Sequence, residues 1–417
     1  MAELVGDGLL TQPQATWFGS LVTIGAISGG PLAAVFVEKV GRKTTLMLIC
    51  LPYTVGWLFI ILADNYIFLF AGRLITGLSV GATSLATPLY IAEVASKEMR
   101  GFLGAGFQLF VVAGIEVVYC LGIVLNFRWL AVSAVAISAL QILCLCCMPE
   151  TPRWLLGTMQ RNKALDALRW LRGPDYPIED ECFDIETNME AQREEEFSLK
   201  DFARPSLYHP LTISIFLMIF QQFSGVNAVI FYSADIMESA GFGENSKVAA
   251  VAIGGVQVVA TAIACCLMDA AGRRLLLLIA GIFMTLSCVT FGTYYYLVDV
   301  HKIGGLSWLS LGSLILYVTA FSLGWGPIPW LIMSEVFPGR AKGMASGIVT
   351  TVNWCCAFLV TKEFHDLQVA ITEYGVFWLF GSICALSIAF VAIFVPETKG
   401  RSLEEIEATF NHRSIST

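Results

Sequence analysis

Six neutral amides, Gln108, Gln221, Gln222, Asn227, Gln257 and Asn353, stand where the surrounding sequence is almost wholly apolar. Each offers a donor and an acceptor without a charge. A neutral ligand with many hydroxyls needs that inventory. A charged ligand does not, and no basic residue accompanies the amides in mid-stretch. Trp330 and Trp354 add flat apolar faces with an N–H at the edge, suited to the C–H side of a sugar ring. Gln and Asn also bond across helices in lipid, so each amide alone fits a structural role as well. Together with the two tryptophans they point to a shared cavity.

Gly324-Trp325-Gly326-Pro327-Ile328-Pro329-Trp330 interrupts its apolar stretch. Two prolines remove backbone donors and block straight helix. Interrupted helices mark transporter sites. Gly326, Pro327 and Pro329 therefore read as a gating hinge with Trp330 as its lid, or else as a static kink. Glu116 lies about two helical turns from Gln108. It is either a proton site or a carboxylate near the outer headgroups.

Other chemistry is poorly served. His209, His301, His365 and His412 are scattered, and none stands near the cysteines, so no metal site is expected. No nucleotide-binding Gly-x-x-x-x-Gly-Lys loop occurs. No nucleophile–base pair is arguable. The expectation is a protein that is not an enzyme, takes no cofactor and binds no nucleic acid.

The elements that must hold these residues are membrane helices. Of 417 residues, 56% are hydrophobic and 14% charged, against about 25% charged in average soluble domains. Apolar runs of roughly 18 or more residues read as spanning helices, which satisfy their own backbone hydrogen bonds in lipid. Eleven are expected, at 15–37, 46–63, 68–92, 102–125, 129–148, 211–237, 248–268, 275–299, 307–333, 344–361 and 374–395. Eleven of the 12 cysteines fall inside them and read as buried small apolar residues. Lys and Arg divide 20 against 5 between alternate ends of these spans, the tail and the 149–209 stretch lying on the rich side. That side, with the C-terminus, should face the cytoplasm.

Three signatures recur in order at that side. Val37 to Lys43 matches Met268 to Arg274, Glu93-Val94 with Arg100-Gly101 matches Glu335-Val336 with Lys342-Gly343, and Pro149-Glu150-Thr151 matches Pro396-Glu397-Thr398. The sequence reads as a duplication. Its fixed charges, Glu38, Arg42, Glu93, Arg100, Asp269, Arg273, Arg274 and Glu335, form a candidate latch that closes the cytoplasmic ends in one state and parts in another. Two spans precede the second Gly-Arg turn and one precedes the first, so the symmetry predicts a further helix upstream of residue 15. Residues 1–14 do not supply it.

Two homologous halves related by an axis along the membrane normal describe the major facilitator architecture. The expected fold is an all-α membrane protein of two six-helix halves, with the first helix missing. Its parts are residues 1–148, the cytoplasmic linker 149–210 with an amphipathic helix, residues 211–395, and the cytoplasmic tail 396–417.

From about residue 15 to 410 the chain resembles the sugar porter family of the major facilitator superfamily. The likeness rests on the two Gly-Arg turns, Pro149 to Arg153, Gln221-Gln222-Phe223-Ser224-Gly225-Val226-Asn227, Gly326 to Trp330 and Pro396 to Arg401. Gly324 to Pro327, Asn353-Trp354 and Leu359 to Phe364 liken it to a branch of facilitated glucose transporters. The resemblance implies facilitated, bidirectional hexose movement without a cofactor, and a monomeric carrier in lipid is expected; the alternatives are a proton-coupled sugar symporter and a non-transporting sugar-binding receptor or truncated isoform. It implies sugar contacts at Gln108, Gln221, Gln222, Asn227, Trp330, Asn353 and Trp354. It also suggests a vesicle membrane of the endosome or lysosome, with the plasma membrane as the other location. Ala270 replaces a common Arg, Gln257 a common Asn, and Ser322 stands where some members have Glu.

Overall fold

The computed structural model describes residues 2–6, 8–96, 98–193, 202, 204–231, 233–303, 305–337 and 339–399. Lys97, part of the acidic stretch ending at Glu196, and the tail from 400 onward lie outside them. Among the described residues every long element is a helix: α1 Ala2–Gly6, α2 Gln12–Val40, α3 Arg42–Ile61, α4 Tyr66–Val94, α5 Arg100–Val124, α6 Phe127–Cys146, α7 Pro152–Gly157, α8 Arg161–Arg172, α9 Ile178–Arg193, α10 Pro205–Phe223, α11 Val226–Phe231, α12 Ser233–Met237, α13 Ser246–Ala271, α14 Arg273–Asp299, α15 Ser307–Leu323, α16 Ile328–Val336 and α17 Gly339–Phe394.

Among the described residues ten stretches are long and apolar enough to cross a membrane, and the last, Ala341–Phe394, holds two of the expected spans. Straight, its 54 residues would reach about 80 Å at 1.5 Å per residue. Instead the chain turns at Thr372 (φ 68°, ψ 163°). The rings of Phe364 and Phe380 then stack 6.4 Å apart, which brings the two arms side by side. Eleven crossing arms result, as the apolar runs predict. Pro52 sits within a continuous α3.

Local chemistry sets the helix ends. Asn65 accepts from the N–H groups of Ile67 and Phe68 and starts α4. Asn126 accepts from Trp129 N–H and starts α6. Such side chains replace the missing intrahelical acceptor of the first turn. The expected single span over 211–237 is instead broken. Gly225 takes φ +93°, a conformation costly for any residue with a Cβ, and separates α10 from α11. Tyr317 Oη donates to Ser224 O at 2.9 Å and holds the break from α15. The anticipated interruption at Gly324–Pro327 separates α15 from α16.

Helices α2, α3, α4 and α6 pack together, with α2 and α4 in close backbone contact at Gly25, Gly29, Gly77 and Gly81. Small residues permit such approach in lipid. Helices α10 and α13–α17 form the second half. The halves meet where α2 runs along the first arm of α17 and α5 runs along α13. Between the halves in sequence, α7–α9 bury Leu155, Leu156, Leu168, Ile178 and Cys182 in a small core of their own.

Candidate functional site

The two helix breaks face each other through a chain of amides. Asn227 Nδ2 donates to Gln222 Oε1 at 2.5 Å, and Gln222 Nε2 to Asn353 Oδ1 at 3.0 Å. Asn353 Nδ2 donates to Gln221 Oε1 at 2.9 Å. Gln221 Nε2 ends the chain on two carbonyls that the second break frees from helical bonding, Trp325 O at 2.8 Å and Gly326 O at 3.1 Å. Gln221, Gln222 and Asn353 are buried, and Asn227 is half-buried. A buried amide left unpaired in lipid is costly, and this arrangement pairs all four.

The pairing also sets what the chain can accept. Both hydrogens of Gln221 are engaged by carbonyls. Those of Asn353 are engaged by Gln221 and Met218 Sδ. Gln222 and Asn227 each keep one N–H, while every amide oxygen keeps a lone pair. The spare capacity therefore leans towards accepting hydroxyl hydrogens, with two donors in reserve. That suits a polyol better than an anion.

Gln108 comes from the opposite half. Its Cγ lies 3.6 Å from where a Cβ on Gly326 would sit. Trp354 is half-buried, and its indole N–H is buried without an acceptor. Trp330 is buried on α16 and meets Phe107 edge-on, ring centroids 6.4 Å apart. It lines a narrow cleft between the halves with Pro88, Ile91, Arg100 and Gly104. Gln257 is buried on α13 and stands outside the amide chain. Glu116 also lies apart, with its Oε2 pressed against Gly254 of α13 and without a hydrogen-bond partner.

The duplicated signatures converge at one end of the bundle, called here the charged end. In the first half Arg42 Nη2 meets Glu93 Oε1 at 3.0 Å and Glu38 Oε1 at 3.4 Å. In the second, Arg273 Nη2 meets Glu335 Oε1 at 3.2 Å. Thr398 Oγ1 donates to Glu335 Oε2 at 2.9 Å. These pairs lie within each half. Across the halves, Lys342 is buried within electrostatic reach of Glu93, and Arg100 within reach of Glu335. The Arg274 guanidinium donates to the carbonyl of Ala392, near the end of α17. The side chain of Asp269 lies outside the described residues.

The glutamates of Pro-Glu-Thr, which the candidate latch does not include, bond mainly to backbone. Glu150 accepts from the N–H groups of Arg42 and Lys43 at 2.9 Å and of Thr44 at 3.3 Å. Glu397 accepts from Arg273 at 3.0 Å and Arg274 at 3.1 Å. Each carboxylate thus covers the positive end of the helix that follows a Gly-Arg turn. The turn glycines are needed twice over. Gly41 and Gly272 have φ +98° and +89°, and a Cβ there would lie 2.4 and 2.7 Å from the glutamate oxygen. Trp325 was also missed as an anchor: fully buried, it donates from Nε1 to Leu277 O at 3.1 Å and braces the second break.

The family profile described as "Sugar (and other) transporter" matches residues 4–410. The chain is 44% identical to the mouse "Solute carrier family 2, facilitated glucose transporter member 8", over 96% of this chain and 86% of that protein. It is 40% identical to "Facilitated trehalose transporter Tret1" of Apis mellifera ligustica, over 96% of this chain and 80% of that one. Its fold superposes on the proton:xylose symporter XylE bound to 6-bromo-6-deoxy-D-glucose with a TM-score of 0.87 at 25% identity, covering 98% of this chain and 94% of that one. The inward-open form of XylE from E. coli gives a TM-score of 0.75 at 24% identity, covering 98% of this chain and 93% of that one. With a multi-pass helical fold, an uncharged amide chain between two broken helices and a family match along nearly its whole length, the chain belongs to the sugar transporter family.

Proposed function

We propose that the protein is a facilitative hexose carrier working by alternating access. The observation that supports this most directly is the amide chain from Asn227 to Gln221, which carries no charge and spare acceptors. A sugar hydroxyl set fits it without a counter-ion. Gln108 and Trp354 complete the ring of contacts, and Trp330 closes the charged-end side. Gln257 is a candidate contact from α13. Gly326, Pro327 and Pro329 form the hinge that lets α16 tilt against α15. The intra-half pairs Arg42–Glu93 and Arg273–Glu335 keep each half rigid, while Lys342–Glu93 and Arg100–Glu335 hold the halves together at the charged end until they rock apart. A ligand shifts such an equilibrium only through contacts that differ between the states.

The charged end is the cytoplasmic one, by the Lys and Arg distribution. The carrier acts as a monomer in the membrane of an intracellular vesicle or the cell surface. The names of the relatives set glucose beside trehalose as substrates to compare. The test is uptake of labelled glucose into liposomes holding the purified full chain, with and without a pH gradient and with trehalose as competitor. Saturable uptake that ignores the gradient is expected. Uptake that requires an inward proton gradient, and loses that requirement in Glu116→Gln, would replace this reading with proton-coupled transport. Competition by trehalose at concentrations where glucose does not compete would move the substrate to disaccharides.

A further inference from the structure

The sequence alone suggests buried, inert cysteines within the spans. At the end of α6 the structure differs: Cys144, Cys146 and Cys147 are all exposed and all reduced. Ile137, Leu140, Cys144 and Cys147 fall on one stripe at spacings of three and four residues. Ile137 is 50% and Leu140 59% exposed on that stripe, and Leu143 beside it is 67% exposed. Among the described residues no element covers this face, and its apolar character suits lipid. The thiols therefore end a lipid-facing wall.

Their depth is fixed by the residues that follow. Tyr90 Oη donates to Pro149 O at 2.7 Å. Glu150 is held on the first turn of α3. Cys147 thus sits three residues from a carboxylate anchored in the charged layer, and Cys144 lies about 4.5 Å deeper at 1.5 Å per residue. Side chains on a helix tilt towards its N-terminus, which for α6 is the direction into the membrane. Groups attached to these sulfurs would run along the stripe of Leu140 and Ile137. Exposed Lys39 and half-buried Lys43 flank the same end and suit an anionic acyl donor arriving from water.

We propose that Cys144, Cys146 and Cys147 form a site of S-acylation by long-chain acyl-coenzyme A. Juxtamembrane cysteines are the usual acceptors of such chains. The cysteine sulfur attacks the acyl thioester carbonyl. The carbonyl carbon's bond to the coenzyme A sulfur breaks, a new carbon–sulfur bond to cysteine forms, and the thiol proton leaves with the coenzyme A thiolate. No oxidant or reductant is consumed. The attached chain lies in lipid against α6 and ties the charged end of the first half, where the linker helices begin, to the bilayer.

The full chain, expressed in cells fed an alkyne analogue of palmitate, tests this. A label removed by hydroxylamine is expected on the wild type. It should fall at least tenfold in the Cys144→Ser/Cys146→Ser/Cys147→Ser variant. Cys120→Ser, which removes an exposed thiol near the opposite end of α5, should keep it in full. Trypsin gives a second readout that needs no variant: the fragment 129–153 contains these three cysteines and no other. Hydroxylamine-labile mass on that fragment supports the proposal. No labile label on the wild type, label only on other fragments, or label unchanged in the triple variant overturns it. None of these results depends on which sugar is carried, or on whether sugar is carried at all.

Discussion

Trp354 offers a test in which stability and affinity move in opposite directions. Its indole N–H is buried and has no hydrogen-bond acceptor among the described residues. An unmet buried donor costs about 1–3 kcal/mol. Trp354→Phe removes that donor and keeps most of the ring, so relief of the cost offsets the lost packing. The sugar-free protein should melt within a degree or two of the wild type, or higher. If the donor waits for a sugar oxygen, the same variant loses one hydrogen bond in the complex, a net of about 0.5–1.5 kcal/mol. At 1.4 kcal/mol per factor of ten, that weakens glucose binding about 2- to 12-fold. Gln221→Ala is the contrast. It strips Trp325 O, Gly326 O and Asn353 Nδ2 of a partner at once, so stability and affinity should both fall. Calorimetric titration of purified protein with glucose, beside its thermal melt, measures both quantities. A Trp354→Phe protein that melts several degrees lower with unchanged affinity would refute the reasoning and make Trp354 a packing residue.

Glu335→Gln should lower stability by about 3–5 kcal/mol, the usual cost of leaving one member of a buried ion pair alone. The Arg273→Met/Glu335→Met double variant should recover much of it, as read by thermal melts; equal losses would deny the pair its role. Gly254→Val should lower uptake severalfold rather than abolish it, since a Cβ there would lie 2.1 Å from Glu116 Oε2, the movable end of a side chain, and 3.3 Å from the Tyr119 ring, and adding Glu116→Ala should restore part of it. Full activity in Gly254→Val alone would show that α5 and α13 need not approach so closely. Glu397→Ala should cost about 0.5–2 kcal/mol as a lost helix cap while leaving glucose affinity unchanged; a large change in affinity would contradict its purely supporting role.

Much of this was legible in the sequence because lipid leaves few options for a backbone. Apolar runs gave the eleven arms, and even Pro52 did not mislead, since neighbouring groups in a membrane tolerate a proline in a helix. The break at Gly324–Pro327 was visible because two prolines announce it. The break at Gly225 was not, because glycine is common in membrane helices and only its φ reveals the turn. The amides were visible as residue types. Their order of donation, and the absence of Gln257 from it, depends on which helix faces which, and residue spacing does not carry that. Repetition of Pro-Glu-Thr was plain in the sequence, but its partners, the first N–H groups of α3 and α14, were not, because residue spacing does not show which helix end a carboxylate faces.

The scaffold is duplicated, but the site is not. Glu150 on α3 has its counterpart in Glu397 on α14, and Arg42–Glu93 in Arg273–Glu335. Both halves therefore carry the same clamp, as two bodies that rock against each other require. The amides divide unevenly: Gln221, Gln222, Asn227 and Asn353 all belong to the second half, and Gln108 alone crosses from the first to meet Gly326. If the amide chain is the sugar site proposed above, a sugar held by the second half keeps those bonds throughout a rocking motion, so they supply affinity but little bias between states. On that reading the contacts made and broken are those with the first half, Gln108 and the cleft beneath Trp330. A ligand drives a two-state change only by its differential interactions. Turnover should therefore be governed from the first half and the hinge, while affinity is governed from the amide chain.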